Sequence, residues 1–105
     1  MSEQEIIREA IRRWGPNAQT SKAAEELCEL AAALNRYLSQ IYAHEGEADY
    51  DELGRLLDEI AEEMADVEIM LQQLRMIFGG PKVNAWKAHK IRRLAERLGI
   101  DPEKE

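Results

Sequence analysis

Two short acidic stretches hold the residues best suited to chemistry, Glu25-Glu26-Leu27-Cys28-Glu29 and Glu62-Glu63-Met64-Ala65-Asp66. On a helix, residues at i and i+3 share a face with Cβ atoms about 5–6 Å apart. Glu26 with Glu29, and Glu63 with Asp66, therefore make two carboxylate pairs, each bordering apolar positions. Brought together, four carboxylates repel one another and lose hydration unless something positive joins them. Lys22, one turn before Glu26, is the only base placed to help within its own segment; Glu59 stands at the equivalent place before Glu63. A hard divalent cation bound through oxygen resolves the conflict. Mg²⁺ suits best, with Mn²⁺ as its substitute, because Mg²⁺ takes few carboxylates, keeps several waters and accepts phosphate oxygens. The competing reading is a pair of charged flanks beside a coiled-coil seam, although such flanks usually mix signs and these do not. A di-iron bundle requires Glu-x-x-His, and the residues three before His44 and His89 are Ile41 and Trp86.

The elements that must carry these carboxylates all read as helices. Breaks fall at Gly15-Pro16-Asn17, from His44-Glu45-Gly46 to Asp49, and at Gly79-Gly80-Pro81. The first helix spans about Glu3 to Arg13, opened by Ser2 and Glu5 as a capping box and lined by Ile6, Ile7, Ala10, Ile11 and Trp14. The second spans about Ala18 to Ala43, with a seam of Ala23, Leu27, Leu30, Leu34, Leu38 and Ile41. The third spans about Tyr50 to Phe78, with Asp49 and Glu52 at its start. Its seam is Leu53, Leu57, Ile60, Met64, Val67, Leu71, Leu74 and Phe78. The fourth spans about Lys82 to Leu98, with Pro81 in its first turn and Gly99 at its end. β-branched residues never alternate over a strand's length, so no sheet is predicted. The expected fold is all-α, a helical bundle of two long and two shorter helices in a single domain, 1–105. Helices two and three are apolar over more than one stripe, and the short helices are too small to cover them. The bundle is therefore expected to be completed by oligomerisation, as a homodimer or homotetramer.

The bulk properties narrow the function. The chain has 105 residues, 45% of them hydrophobic and 33% charged, which suits one globular domain. Its formal charge of -7 argues against binding a nucleic-acid polymer through the backbone. A nucleotide ligand remains open, because a metal bridges anionic protein to anionic phosphate. The N-terminus has neither a basic nor an apolar leader region and no apolar run spans a bilayer. A cytoplasmic protein with no membrane partner is expected. Cys28, alone and set among Leu27, Leu30 and Ala31, reads as a small buried hydrophobe.

The ordered pair of motifs, Glu26-x-x-Glu29 and Glu63-x-x-Asp66, each preceded by another glutamate, resembles the MazG-like all-α nucleoside triphosphate pyrophosphohydrolases. Trp14-Gly15 followed by Gln19 looks like that family's approach to its first catalytic helix, and Lys90-Ile91-Arg92-Arg93-Leu94 resembles its basic closing helix. The similarity runs from about Trp14 to Leu98. Leu94 departs from it, standing where several members carry asparagine. The resemblance implies Mg²⁺-dependent hydrolysis of (deoxy)nucleoside triphosphates to a monophosphate and pyrophosphate, a nucleotide house-cleaning activity. Glu26, Glu29, Glu63 and Asp66 would hold metal, and Glu25 or Glu29 would accept the proton of the attacking water. Trp14 and Gln19 would meet the base, and Lys22, Lys90 and Arg93 the phosphates. The alternative is a non-catalytic helical dimerisation or interaction module. With no glycine cradle in the chain, phosphates must be held by metal and basic side chains.

Other residues read more plainly. Asn17 reads a base edge or caps helix two. Trp86, Met64, Met70 and Met76 are expected in packing, and His44 and His89 at the surface.

Overall fold

A computed structural model of the chain describes residues 1–43 and 49–103. Four helices follow one another, α1 (Glu3–Trp14), α2 (Pro16–Ala43), α3 (Tyr50–Phe78) and α4 (Gly80–Leu98). No strand occurs among the described residues. Contacts divide the chain into two compact units, Met1–Leu74 and Arg75–Glu105.

The first unit begins with the expected capping box. The Glu5 backbone N–H donates to Ser2 Oγ at 3.1 Å, and the Ser2 N–H donates to Glu5 Oε2 at 3.2 Å. These bonds satisfy donors that a helix start leaves open. α1 ends at Gly15, whose φ of 91° suits a residue without Cβ, and α2 starts at once with Pro16. Asn17 therefore lies inside the first turn of α2 and does not cap it. α1 lies against α2 and buries Ile7, while Ile6 and Trp14 stay exposed.

Within this unit α2 and α3 run antiparallel. Gln19, early in α2, bonds to Gln73, late in α3, whereas Arg36, late in α2, pairs with Glu59, early in α3. One line of buried and half-buried positions steps by four and three residues along each helix. On α2 they are Gln19, Ala23, Glu26, Leu30, Ala33, Tyr37 and Gln40. On α3 they are Leu53, Leu56, Ile60, Glu63, Val67, Met70 and Leu74, with the buried Gln73 next to Leu74. This corrects the expected seams. Leu27, Leu34, Leu38 and Ile41 on α2, and Leu57, Met64 and Leu71 on α3, are exposed. Each sits one residue past an inward position, a rotation of about 100° at 3.6 residues per turn. Because the helices are antiparallel, the same rotation brings both sets to one side of the hairpin. Residues one step before the inward line, including Glu29, Arg36, Arg55, Glu59, Glu62 and Asp66, fall on the other side. The hairpin thus has one apolar and one charged side. Two wide apolar faces in the sequence admit more than one inward line, and the small Ala23 and Ala33 win because they let the helices approach. Cys28, beyond the apolar side, is exposed and not buried. Met70 is buried as expected, Met76 half-buried, and Met64 exposed.

The second unit carries α4, which closes with a Schellman turn. Gly99 takes a left-handed φ of 71°, its N–H donates to the Glu96 carbonyl, and the Ile100 N–H donates to the Ala95 carbonyl at 2.8 Å. Ala95 is the one buried residue of α4. Phe78, Val83, Trp86, Ile91 and Leu94 line an open apolar groove, so Trp86 is exposed here and not packed away. His89 is exposed, edge-on to Trp86. His44 lies outside the described residues.

Candidate metal centre

The site is a product of the hairpin's register. Glu26 occupies an inward position of α2 and is only 6% exposed; Glu63 occupies an inward position of α3 and is half-buried. Glu29 is exposed on the charged side. One carboxylate oxygen from each of these three residues lies within 4.8 Å of the others. The middles of two helices, far apart in sequence, supply a single cluster.

Its electrostatics are unbalanced. Lys22 Nζ reaches Glu26 Oε1 at 3.1 Å and Glu25 Oε2 at 3.8 Å. The bond to Glu26 holds the Lys22 ammonium above its ordinary pKa. The other oxygen of Glu26, and Oε2 of Glu63, are buried with no hydrogen-bond partner among the described residues. Orphaned buried acceptors are rare because each forfeits its hydration without compensation. Glu63 feels this most. Burial, followed by the charges of Glu29, Asp66, Glu26 and Glu62, raises its carboxyl above the usual glutamate value. An all-oxygen donor set with unpartnered anionic atoms fits a hard divalent cation such as Mg²⁺ and would suit neither a thiophilic nor an imidazole-seeking metal.

The remaining expected residues are dispersed. Asp66 is near enough to act on Glu63 electrostatically but contributes no oxygen to the cluster of three. The inward line passes through Glu63 and Val67, which turns Asp66 onto the charged flank. Glu25 is well exposed and outside the cluster. Gln19 is buried, and its amide donates to Gln73 Oε1 at 2.7 Å, so it is committed to the core before any base is read. Trp14 is 62% exposed and anchors no core. Lys90 and Arg93 belong to the second unit, where they line a small polar pocket with Leu94 and Arg97.

Three residues near the hairpin went unread in the sequence. Gln73 stands in an apolar stretch at seam spacing, a signal that a buried polar pair was required. Arg36 and Arg55 interrupt otherwise acidic or apolar runs, and both meet Glu59. No family model, curated protein or solved structure matches the chain. The resemblance to the MazG-like proteins rests on the residues themselves.

Proposed function

We propose that the chain hydrolyses nucleoside triphosphates to a monophosphate and pyrophosphate in a Mg²⁺-dependent reaction. The observation that carries this reading is the pair of buried, unpartnered carboxylate oxygens on Glu26 and Glu63, clustered with Glu29. Such a cluster is unstable as three bare anions and coherent as a cation site. Bound Mg²⁺ would neutralise phosphate charge and lower the pKa of an attacking water. Glu26 and Glu63 would hold it from the hairpin interior, and Glu29 from the charged side. Glu29, the exposed member, is also better placed than Glu25 to take a proton from water entering from solvent. Water would add to the α-phosphorus, the bond to its bridging oxygen would break, and pyrophosphate would leave. Lys22 holds Glu26 in place.

The homodimer belongs to the same reading, with two hairpins joined through the side bearing Leu27, Leu34, Leu38, Leu57 and Leu71. That exposed side also favours the second reading, a non-catalytic helical interaction module. The two are separated by assaying pyrophosphate release from a panel of nucleoside triphosphates with and without Mg²⁺. Release that requires Mg²⁺ is expected for at least one substrate, and no release across the panel rejects the enzyme. Among the described residues no helix is long and apolar enough to cross a membrane.

A further inference from the structure

The charged side of the hairpin changes character about two turns from the carboxylates. There, towards the end of α2 and the start of α3, an open pocket of about 440 Å³ is lined by Asn35, Arg36, Ser39, Gln40, Glu52 and Arg55, among others. Glu59 ties its two cations together, accepting from Arg36 Nη2 on one oxygen and from Arg55 Nη1 at 3.5 Å on the other. Glu52 accepts from Arg55 Nε and Nη2 at 3.0 and 2.6 Å. Both guanidiniums are thereby fixed, and every nitrogen of Arg55 is engaged by Glu52 or Glu59. Arg36 keeps Nε and Nη1 unbonded among the described residues, and both side chains are more than half exposed.

We propose that Arg36 and Arg55 seat the terminal phosphates of the triphosphate while its inner phosphates lie at the carboxylate cluster. The assignment rests on reading that cluster as the metal site. Arg36 follows Glu29 by seven residues on one helix, about 10 Å at 1.5 Å per residue, which is the scale of a polyphosphate chain. Arg55 precedes Glu63 by a similar interval on the antiparallel helix, so both cations reach the same level. An arginine fork recognises phosphate oxygens through paired N–H donors, which Arg36 still offers; Arg55 adds positive charge at the same level, and Asn35, Ser39 and Gln40 add neutral donors. Every residue involved lies within Met1–Leu74.

The test uses the full chain as wild type, Arg36→Gln and Arg55→Gln. Mn²⁺ binding is followed by electron paramagnetic resonance, then inorganic tripolyphosphate and AMP are titrated in the presence of Mn²⁺. Exposed ion pairs contribute little to stability, so the variants should fold, which circular dichroism checks. The expected result is unchanged affinity for Mn²⁺ and AMP and at least a ten-fold loss of affinity for tripolyphosphate in each variant. Arg36→Lys, which keeps the charge but not the fork, should recover only part of that loss. Equal tripolyphosphate affinity in wild type and glutamine variants overturns the proposal, as does a wild type that binds Mn²⁺ and no tripolyphosphate. Arginine-dependent tripolyphosphate binding without Mn²⁺ binding leaves the arginine seat standing and removes the metal site.

Discussion

At the scale of single residues, Glu63 carries the clearest electrostatic strain. Its raised pKa means that the folded chain holds a proton where the unfolded chain has released it. Without metal, ionising Glu63 therefore opposes folding. The penalty is absent below the ordinary glutamate value, grows as pH rises through the interval, and is complete above the folded pKa. Glu63→Gln is expected to melt at a higher temperature than wild type in metal-free buffer at neutral pH. The difference should shrink as pH falls below the ordinary glutamate range. Glu9 and Glu52, whose pKa values are lowered by Arg12 and Arg55, work in the opposite direction but equally in both proteins. Calorimetry across pH decides this, and a Glu63→Gln protein less stable at neutral pH contradicts it. Activity should follow the same geometry. Glu29→Gln is expected to abolish turnover with the helical signal intact. Asp66→Asn, which removes no oxygen of the cluster of three, should cost less. Full activity in Glu29→Gln removes that residue from the site.

At the scale of elements, the hairpin's register is what assembles the site, and the Gln19–Gln73 bond is one of its pins. Gln73→Ala leaves the buried Gln19 amide unpaired and is expected to cost about 1–3 kcal/mol in denaturant unfolding. No change would mean that Gln19 finds another partner and is not a register pin. Helix identities, the capping box at Ser2 and the stop at Gly99 were legible in the sequence because each is decided by neighbours a few residues apart. So were Glu26, Glu29 and Glu63, three of the four carboxylates expected to converge with Asp66, since i,i+3 spacing and an antiparallel pairing of helix middles bring them together. The inward line was not. α2 offers two adjacent stripes, one through Leu27, Leu34 and Ile41 and one through Ala23, Glu26 and Ala33. Hydrophobicity alone selects the leucines. Close helix approach selects the alanines and draws Glu26 inside. Arg36 and Arg55 were missed because their shared partner, Glu59, joins positions that only the folded register brings level.

At the scale of the whole molecule, the expected dimer would join hairpins through the apolar side of the first unit. Burying one leucine side chain is worth about 1.5–3 kcal/mol, so a row of them left in water is costly. Light scattering at micromolar concentration is expected to return at least a dimer, and Leu34→Glu to return a monomer that keeps its helical signal. A wild-type monomer would contradict the dimer without touching the metal site. The central claim is reached most directly by hydrolysis in ¹⁸O-labelled water with Mg²⁺, using the best substrate of the triphosphate panel. With the carboxylate cluster at the inner phosphates and the arginines at the outer ones, the label should enter the nucleoside monophosphate and leave pyrophosphate unlabelled. Label in the pyrophosphate, or orthophosphate as the first product, would contradict it.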